Sequence, residues 1–305
     1  MKIGFVSAVF PEMAFQEVID FASEEGFQCV EIMCWPKGKA ERKYAGITHI
    51  DVDKLNSHQK EAIKNYLKDK GVEISGLGYY PNLLIEDDNA AKIYIDHLYK
   101  VIDAAAELDI FQVNTFIGRD KNKNIEPNYK KFKRIWRPII EFAEKKGVKI
   151  GIENCPMIFT DDEWPGGNNL AFSPKIWRRM FTDFPSDYFG LNYDPSHLVW
   201  QQINYIKPIY EFRKKIYHIH LQDVKVYKEK LDEVGIRANP LEFKTSKIPG
   251  LGDINWSQFI MALRDVGYKE SMCIEMEDRS FEENIEMKKN ALRQSLRYIR
   301  QYVPV

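Results

Sequence analysis

The chain has 305 residues, of which 44% are hydrophobic and 29% charged, as is typical of a soluble globular protein that is long enough for one α/β barrel. Its formal net charge of −1, with acidic and basic residues interspersed, gives no support to nucleic-acid binding. No apolar run reaches the roughly 20 residues of a membrane span, and the first residues form a strand pattern rather than a signal peptide, so we expect a cytoplasmic protein without membrane partners.

Short β-branched or aromatic runs alternate with longer amphipathic stretches, a pattern typical of repeated βα units and a parallel sheet. The predicted strands are residues 2–7, 28–33, 72–78, 110–116, 148–154, 188–194, 216–222 and 271–277. The predicted helices are residues 15–25, 53–70, 90–108, 128–146, 174–181, 203–215, 256–266 and 281–302. Eight such units without a linker favour a single (β/α)₈ TIM barrel domain over residues 1–305 rather than an open doubly wound sheet.

Three connections are too long to be simple turns: residues 34–52, 156–173 and 224–252. Each follows a predicted strand, and the loops that follow strands lie on the catalytic face of a barrel. We therefore interpret these long βα loops as walls or lids of a pocket.

Polar residues close four consecutive predicted strands, with Glu153, Asp194, His220 and Glu275 near the ends of the fifth to the eighth. The carboxyl ends of barrel strands meet at one rim, so these side chains should converge. Alone, each is more often a solvated rim group or a salt-bridge partner than a metal ligand. Together, several carboxylates and an imidazole would repel one another strongly unless a cation lay among them, so the set favours a divalent metal site.

Two of these assignments have close alternatives in the sequence. His218 and His220 share a strand face, and His220 is the better ligand because it lies nearer the strand end. Glu275 is chosen over Glu277 because it lies closer to the hydrophobic run, which leaves Glu277 as a rim or supporting group.

Several segments together resemble the xylose isomerase-like TIM barrel family, which includes sugar isomerases and epimerases, inosose dehydratases and endonuclease IV. The segments that carry the resemblance are Glu153-Asn154-Cys155-Pro156, Asp194-Pro195-Ser196-His197-Leu198, His218-Ile219-His220-Leu221-Gln222-Asp223, Pro249-Gly250-Leu251-Gly252-Asp253-Ile254-Asn255-Trp256 and Ile274-Glu275-Met276-Glu277-Asp278. Their order and spacing cover nearly the whole chain and are specific for the superfamily, but not for a substrate.

The resemblance implies one divalent metal ion on Glu153, Asp194, His220 and Glu275, with manganese preferred and cobalt, magnesium or zinc as alternatives. It also implies that Glu153 and Glu275 form the catalytic acid–base pair. His197, three residues after Asp194, matches a histidine that contacts the substrate or a further metal in relatives.

Further candidates for substrate binding lie at the same rim, since aromatic rings suit the apolar faces of sugars and polar side chains suit their hydroxyls. They are Glu31, His49, Tyr79 with Tyr80 beside it, Asn114, Trp164 and Lys225. Simple packing or solvation is the alternative for each of them.

We therefore expect a metal-dependent sugar isomerase or epimerase that acts on a keto-sugar or related polyol through an enediolate. The alternative is a metal-dependent lyase or dehydratase of the same fold, acting on a keto-inositol or 3-keto-glycoside, because the first chemical step is shared. An AP endonuclease is less expected, since no histidine follows His220 to complete a trinuclear zinc cluster. Many relatives are dimers or tetramers, which leaves a homo-oligomer open.

Overall fold

The computed structural model describes residues 1–38 and 45–303. Eight parallel strands form its centre: β1 (Lys2–Val6), β2 (Cys29–Met33), β3 (Glu73–Gly78), β4 (Gln112–Thr115), β5 (Lys149–Glu153), β6 (Phe189–Tyr193), β7 (Ile216–Leu221) and, after two strands outside the barrel, β10 (Ser271–Ile274). They close in the order β1-β10-β7-β6-β5-β4-β3-β2. The predicted (β/α)₈ TIM barrel is confirmed.

Helices cover the outside of this barrel. They are α1 (Phe15–Glu25), α2 (Ser57–Lys70), α3 (Asp88–Glu107), α4 (Ile125–Lys146), α5 (Pro174–Asp183), α6 (Ser196–Val199), α7 (Lys207–Glu211), α8 (Lys228–Val234), α9 (Trp256–Asp265) and α10 (Ile285–Arg300). None of the helices among the described residues is long and apolar enough to cross a bilayer.

Helix α4 shows how the sequence pattern builds the outer layer. Phe132, Trp136, Ile139 and Ala143 recur at helical spacing and are buried against the barrel. The indole of Trp136 is fully buried, and its Nε1 donates a hydrogen bond of 3.1 Å to the carbonyl of Ile117. Burial of one apolar stripe therefore fixes the helix on the sheet, while its charged face meets solvent.

Several predicted elements are shorter in the structure, and two of them show the physical reason. The last barrel strand ends at Ile274 and not at residue 277, because the chain leaves the sheet with polar residues that turn toward the rim. The helix predicted over residues 203–215 is reduced to α7, since the side chain of Asn204 binds the backbone of Ile206 and Lys207 and so starts the helix late.

The predicted loop over residues 224–252 contains structure of its own. An antiparallel hairpin of β8 (Asp223–Val226) and β9 (Lys244–Lys247), with α8 between the two strands, projects from the end of β7. Of the predicted loop over residues 34–52, residues 39–44 lie outside the described part of the chain.

Asp223 holds this hairpin to the barrel. Its carboxylate is buried and accepts hydrogen bonds from Nε1 of Trp256 at 2.8 Å, and from the backbone amides of Val224, Gly250 and Ile254 at 2.8, 3.0 and 3.1 Å. The segment from Pro249 to Trp256 is therefore a structural anchor in this chain.

Asp223→Ala should destabilise the protein, because it leaves several buried donors without an acceptor. We expect the free energy of unfolding to fall by roughly 3 kcal/mol or more, as unsatisfied buried groups cost about 1–3 kcal/mol each. Urea denaturation measures the change, and Asp232→Ala on the exposed surface of α8 is the matched control. Equal stability of the two variants would contradict the anchoring role.

Candidate metal centre and substrate cavity

Four neighbouring barrel strands bring the predicted metal ligands to one rim. Glu153 is the last residue of β5, Asp194 follows β6 directly, His220 is the penultimate residue of β7, and Glu275 follows β10 directly. These strands are adjacent in the order β10-β7-β6-β5. Glu153 and Glu275 therefore come from the two outer strands of the arc, and His220 and Asp194 from the two inner ones.

Three of the four side chains meet closely. Nδ1 of His220 lies 3.2 Å from Oε2 of Glu275 and 3.7 Å from Oε1 of Glu153. One candidate ligand atom from each residue lies within 4.8 Å of those of the other two, a spacing that a single metal ion could bridge. Asp194 joins this cluster through His197, whose Nε2 is 3.1 Å from Oδ2 of Asp194 and 3.4 Å from Oε1 of Glu153.

The cluster has unmet bonding capacity and excess negative charge. Oδ2 of Asp194 and Nδ1 of His220 are buried, and neither has a hydrogen-bond partner among the described residues. Burial, and then repulsion from Glu153, raise the pKa of Glu275 to about 8, although His220 acts in the opposite direction. A divalent cation held by Glu153, His220 and Glu275 would neutralise these carboxylates and satisfy Nδ1 of His220, so the residues present fit such an ion.

Nε2, the other ring nitrogen of His220, contacts a side chain of β2 that is supported in turn by a residue just after β3. This nitrogen lies 2.8 Å from Oε2 of Glu31, and the hydroxyl of Tyr80 donates to the other oxygen of Glu31. Gly78 leaves room for this carboxylate, because a Cβ there would lie 2.7 Å from Oε1 of Glu31. A proton on Nε2 leaves the lone pair of Nδ1 directed toward Glu153 and Glu275, which is the orientation that a ligand histidine needs.

His218 belongs to a deeper layer of the barrel. Its Nδ1 is 2.9 Å from Oδ1 of Asn192, and its Nε2 is 3.1 Å from the hydroxyl of Ser75. Burial lowers the pKa of His218 to about 4, so the ring is neutral. It is a hydrogen-bonded core histidine, consistent with the choice of His220 over His218 as the candidate ligand.

A cavity of about 360 Å³ opens directly above the cluster. It combines acidic, basic and apolar walls, contributed by Phe116, Glu153, Cys155, Pro156, Met157, Ile158, Phe159, His197, Trp200, Pro240, Leu241, Lys244, Thr245, Ser246, Glu275, Glu277, Arg279 and Glu282. Its size suits a small molecule rather than a polymer.

Of the residues predicted to bind substrate, His197 lines this cavity. Glu31, Tyr79 and Asn114 are fully buried and do not line it. Glu31 supports His220, Tyr79 packs edge-on against Trp35, and Oδ1 of Asn114 accepts a hydrogen bond of 2.6 Å from Gln112. In the structure these three therefore lie beneath or beside the site rather than on its surface.

The remaining three candidates also lie off the cavity surface. His49 binds the hydroxyl of Ser7 through Nδ1 at 3.0 Å, and the carbonyl of Phe10 lies 3.0 Å from its Nε2. Trp164 lines an adjoining cavity of about 380 Å³, and the ammonium of Lys225 is bound to Asp253 at 2.5 Å. The positions of residues at strand ends predict which residues lie at the rim, but they do not predict which loop residues point into the cavity.

Two residues near the cluster received no role from the sequence. Gln222 donates to Glu277 at 2.9 Å and accepts from the hydroxyl of Ser196 at 3.0 Å, so it fixes the wall next to Glu275. Lys244 reaches the cavity from β9. Gln222 follows His220 by two residues on a strand of period two, a signal that could have placed it on the same face. Lys244 had no such signal, because its position depends on the hairpin register.

The model of the xylose isomerase-like TIM barrel matches residues 19–302 of this sequence. The chain belongs to the xylose isomerase-like TIM barrel family. The uncharacterized protein YfiH of Bacillus subtilis (strain 168) is 22% identical to this chain, over 97% of this chain and 99% of that protein.

Two solved structures share the barrel over almost their whole length. D-psicose 3-epimerase from Clostridium cellulolyticum H10 has a TM-score of 0.72 at 16% identity, with both chains covered completely. The probable 3-DHS dehydratase AsbF from Bacillus anthracis has a TM-score of 0.71 at 16% identity, over 97% of this chain and 99% of that one. At such identities the likeness establishes the fold.

Metal ions should stabilise the folded protein, because they would neutralise the carboxylates around His220. Adding Mn²⁺ to chelator-treated protein at about 100 times its dissociation constant should raise the free energy of unfolding by about 2.7 kcal/mol. Thermal unfolding measures this. Glu275→Gln should reduce the gain, whereas Glu270→Gln, at an exposed position directly before β10, should not. A metal response that is the same in all three proteins would contradict the assignment.

Glu31→Gln should weaken metal binding about 10–100-fold, the usual effect of removing the carboxylate that orients a ligand histidine. Tyr80→Phe removes the hydrogen bond to Glu31, together with the contacts of the same hydroxyl to Asn192 and His220, but keeps the carboxylate and should have a smaller effect. Competition with a fluorescent chelator gives the affinities. Unchanged affinity in a folded Glu31→Gln protein would show that His220 needs no such support.

Proposed function

We propose that this chain is a divalent-metal-dependent sugar isomerase or epimerase that acts on a keto-sugar or a related polyol. The observation that carries the proposal is the pair Glu153 and Glu275, which both line the cavity and both approach Nδ1 of His220. Because they come from the outer strands of the four-strand arc, a small molecule bound above His220 would lie between them.

Glu153, Asp194, His220 and Glu275 are the residues that would hold the ion. Three carboxylates and one imidazole form a mainly oxygen ligand set, which suits manganese or magnesium as well as cobalt or zinc. A bound divalent ion would polarise a carbonyl and an adjacent hydroxyl, and so stabilise the negative charge of an enediolate.

The carboxylates do the proton transfer in this proposal. One of Glu153 and Glu275 takes the proton from the carbon next to the carbonyl, and the other returns a proton to the opposite face. His197 lies beside Glu153 on the cavity wall, where its imidazole can bind a substrate hydroxyl. The apolar side chains of Met157 and Ile158 exclude water from one side.

The similarity to D-psicose 3-epimerase supports an epimerisation, since that protein is a 3-epimerase of a ketose and shares the barrel over its full length. The cavity volume of about 360 Å³ also suits a monosaccharide. A single domain over residues 1–305, a cytoplasmic location and a homo-oligomer remain predictions.

A dehydratase is the second candidate, supported by the similarity to AsbF. It would share the removal of the proton and differ in the second step, because a β-substituent would leave instead of a proton returning. DNA cleavage has less support. Among the described residues, the histidines near the cluster are His197, His218 and His220, and His218 is bound within the core.

The proposed reaction predicts exchange of a substrate proton with solvent. Incubation of metal-loaded protein in deuterated water with D-fructose, D-psicose, a keto-inositol or a 3-keto-glycoside should incorporate deuterium beside the carbonyl, as followed by NMR. Chelator should abolish the signal, and Glu153→Gln or Glu275→Gln should lower the rate by about 100-fold or more, as loss of a general acid or base does.

The product of the same experiment separates the two candidates, since an epimer indicates the isomerase and an eliminated fragment indicates the dehydratase. Glu270→Gln is the control for a glutamate outside the site. Wild-type turnover in either cavity variant would exclude the acid–base pair.

A further inference from the structure

Lys244 is a cation on the wall of the cavity. It is the first residue of β9, and it faces the space that Glu153 and Glu275 border from the strand side. The cavity thus has a carboxylate-rich floor and a basic residue on its hairpin wall.

Lys244 forms no ion pair with any residue in the described part of the chain, and its Nζ lies 5.9 Å from the ring centroid of Trp200. Other lysines of the same hairpin are paired. Lys225 binds Asp253 at 2.5 Å, and Lys247 binds the buried Asp278 at 3.0 Å.

The hairpin register explains why Lys244 and not Lys225 reaches the cavity. Val226 lies opposite Lys244, and Lys225 lies opposite Thr245. Side chains alternate along each strand and directly opposed residues share a face, so Lys225 and Lys244 lie on opposite faces of the hairpin. Lys225 binds Asp253, whereas Lys244 lines the cavity with Thr245 and Ser246, so the whole of this strand segment borders the cavity while the ammonium of Lys225 is held away from it.

The carboxylates whose charge acts on Lys244 are Glu277 and Asp194, and both have other partners. Glu277 accepts a hydrogen bond from Gln222, and Oδ2 of Asp194 lies 3.1 Å from Nε2 of His197. Burial lowers the pKa of Lys244, and Arg279 adds to this effect, while Cys155, Glu277 and Asp194 oppose it. The ammonium of Lys244 is half-buried and forms no ion pair with the described residues, so its charge is available to an anionic group on a bound ligand.

We infer that Lys244 is a specificity-determining residue that binds an anionic group, a carboxylate or a phosphate, on the substrate of this cavity. The inference rests on the proposed function, in which the keto group of the same molecule lies at the Glu153–Glu275 pair. The substrate class is thereby an acidic keto-sugar or a sugar phosphate, with its charged end at the hairpin and its reacting carbons at the floor.

Equilibrium binding tests whether Lys244 binds an anionic group, and it does so without any reaction taking place. Isothermal titration of Mn²⁺-loaded protein uses D-fructose, D-fructuronate and D-fructose 6-phosphate, which share most of their skeleton and differ in the charge at C6. Wild type should bind at least one of the two anions about tenfold or more tightly than D-fructose, the size of effect expected for one charge-assisted hydrogen bond. The two anions distinguish a carboxylate subsite from a phosphate subsite.

Lys244→Met should remove the preference for the anion and leave D-fructose binding within about twofold, because Met keeps the length of the stem without the charge. Lys244→Arg should retain the preference, which guards against a folding defect in the first variant. Lys228→Met is the matched control, since that lysine is exposed on α8 and paired with Asp232.

Three results would each overturn the inference: equal binding of all three sugars by wild type, failure of both anions to bind, or a preference for an anion that survives in folded Lys244→Met. Failure of the proposed reaction has a different signature. Deuterium exchange would then be absent with every keto compound, while the Lys244-dependent preference for an anion would persist.

Discussion

The site depends on one electrostatic constraint, the confinement of carboxylates around the imidazole of His220 at the C-terminal rim of the barrel. Glu153 and Glu275 both approach Nδ1 of His220, and no fully buried lysine or arginine balances them within the described residues. Parallel strands make this unavoidable, because all of them deliver their last residues to the same rim. Glu31 adds a further carboxylate to this group, because it lies 2.8 Å from Nε2 of His220 and so fixes the orientation of the ring.

Much of the fold and the floor of the site could be predicted from the sequence, since both follow from local pattern. Eight alternating units predict the barrel, and strand ends predict that Glu153, Asp194, His220 and Glu275 meet at one rim. Even the inert role of His218 follows from its depth on β7 relative to His220.

The walls could not be predicted, because they depend on how loops fold back over the rim. Lys225 follows a strand closely and is polar, yet the hairpin directs it to Asp253, and Lys244 enters the cavity from nineteen positions further along. Glu31 can support His220 because Gly78, which lacks a side chain, leaves room for its carboxylate. This contact joins two neighbouring strands, and the spacing of residues within one strand does not reveal it.

The anchoring of the hairpin by Asp223 separates two tasks in the molecule. The proposed acid–base pair and its histidine are set by barrel strands, whereas Lys244 belongs to an appended hairpin that two buried carboxylates hold. Asp223 fastens it to α9 and the preceding loop, and Asp278 binds Lys247. Residues 227–243 lie outside these attachments, so they can change length and sequence with little effect on the barrel beneath. Divergence within this family, or directed evolution in the laboratory, can thus replace the module proposed to read the substrate while the rim of the barrel is inherited intact.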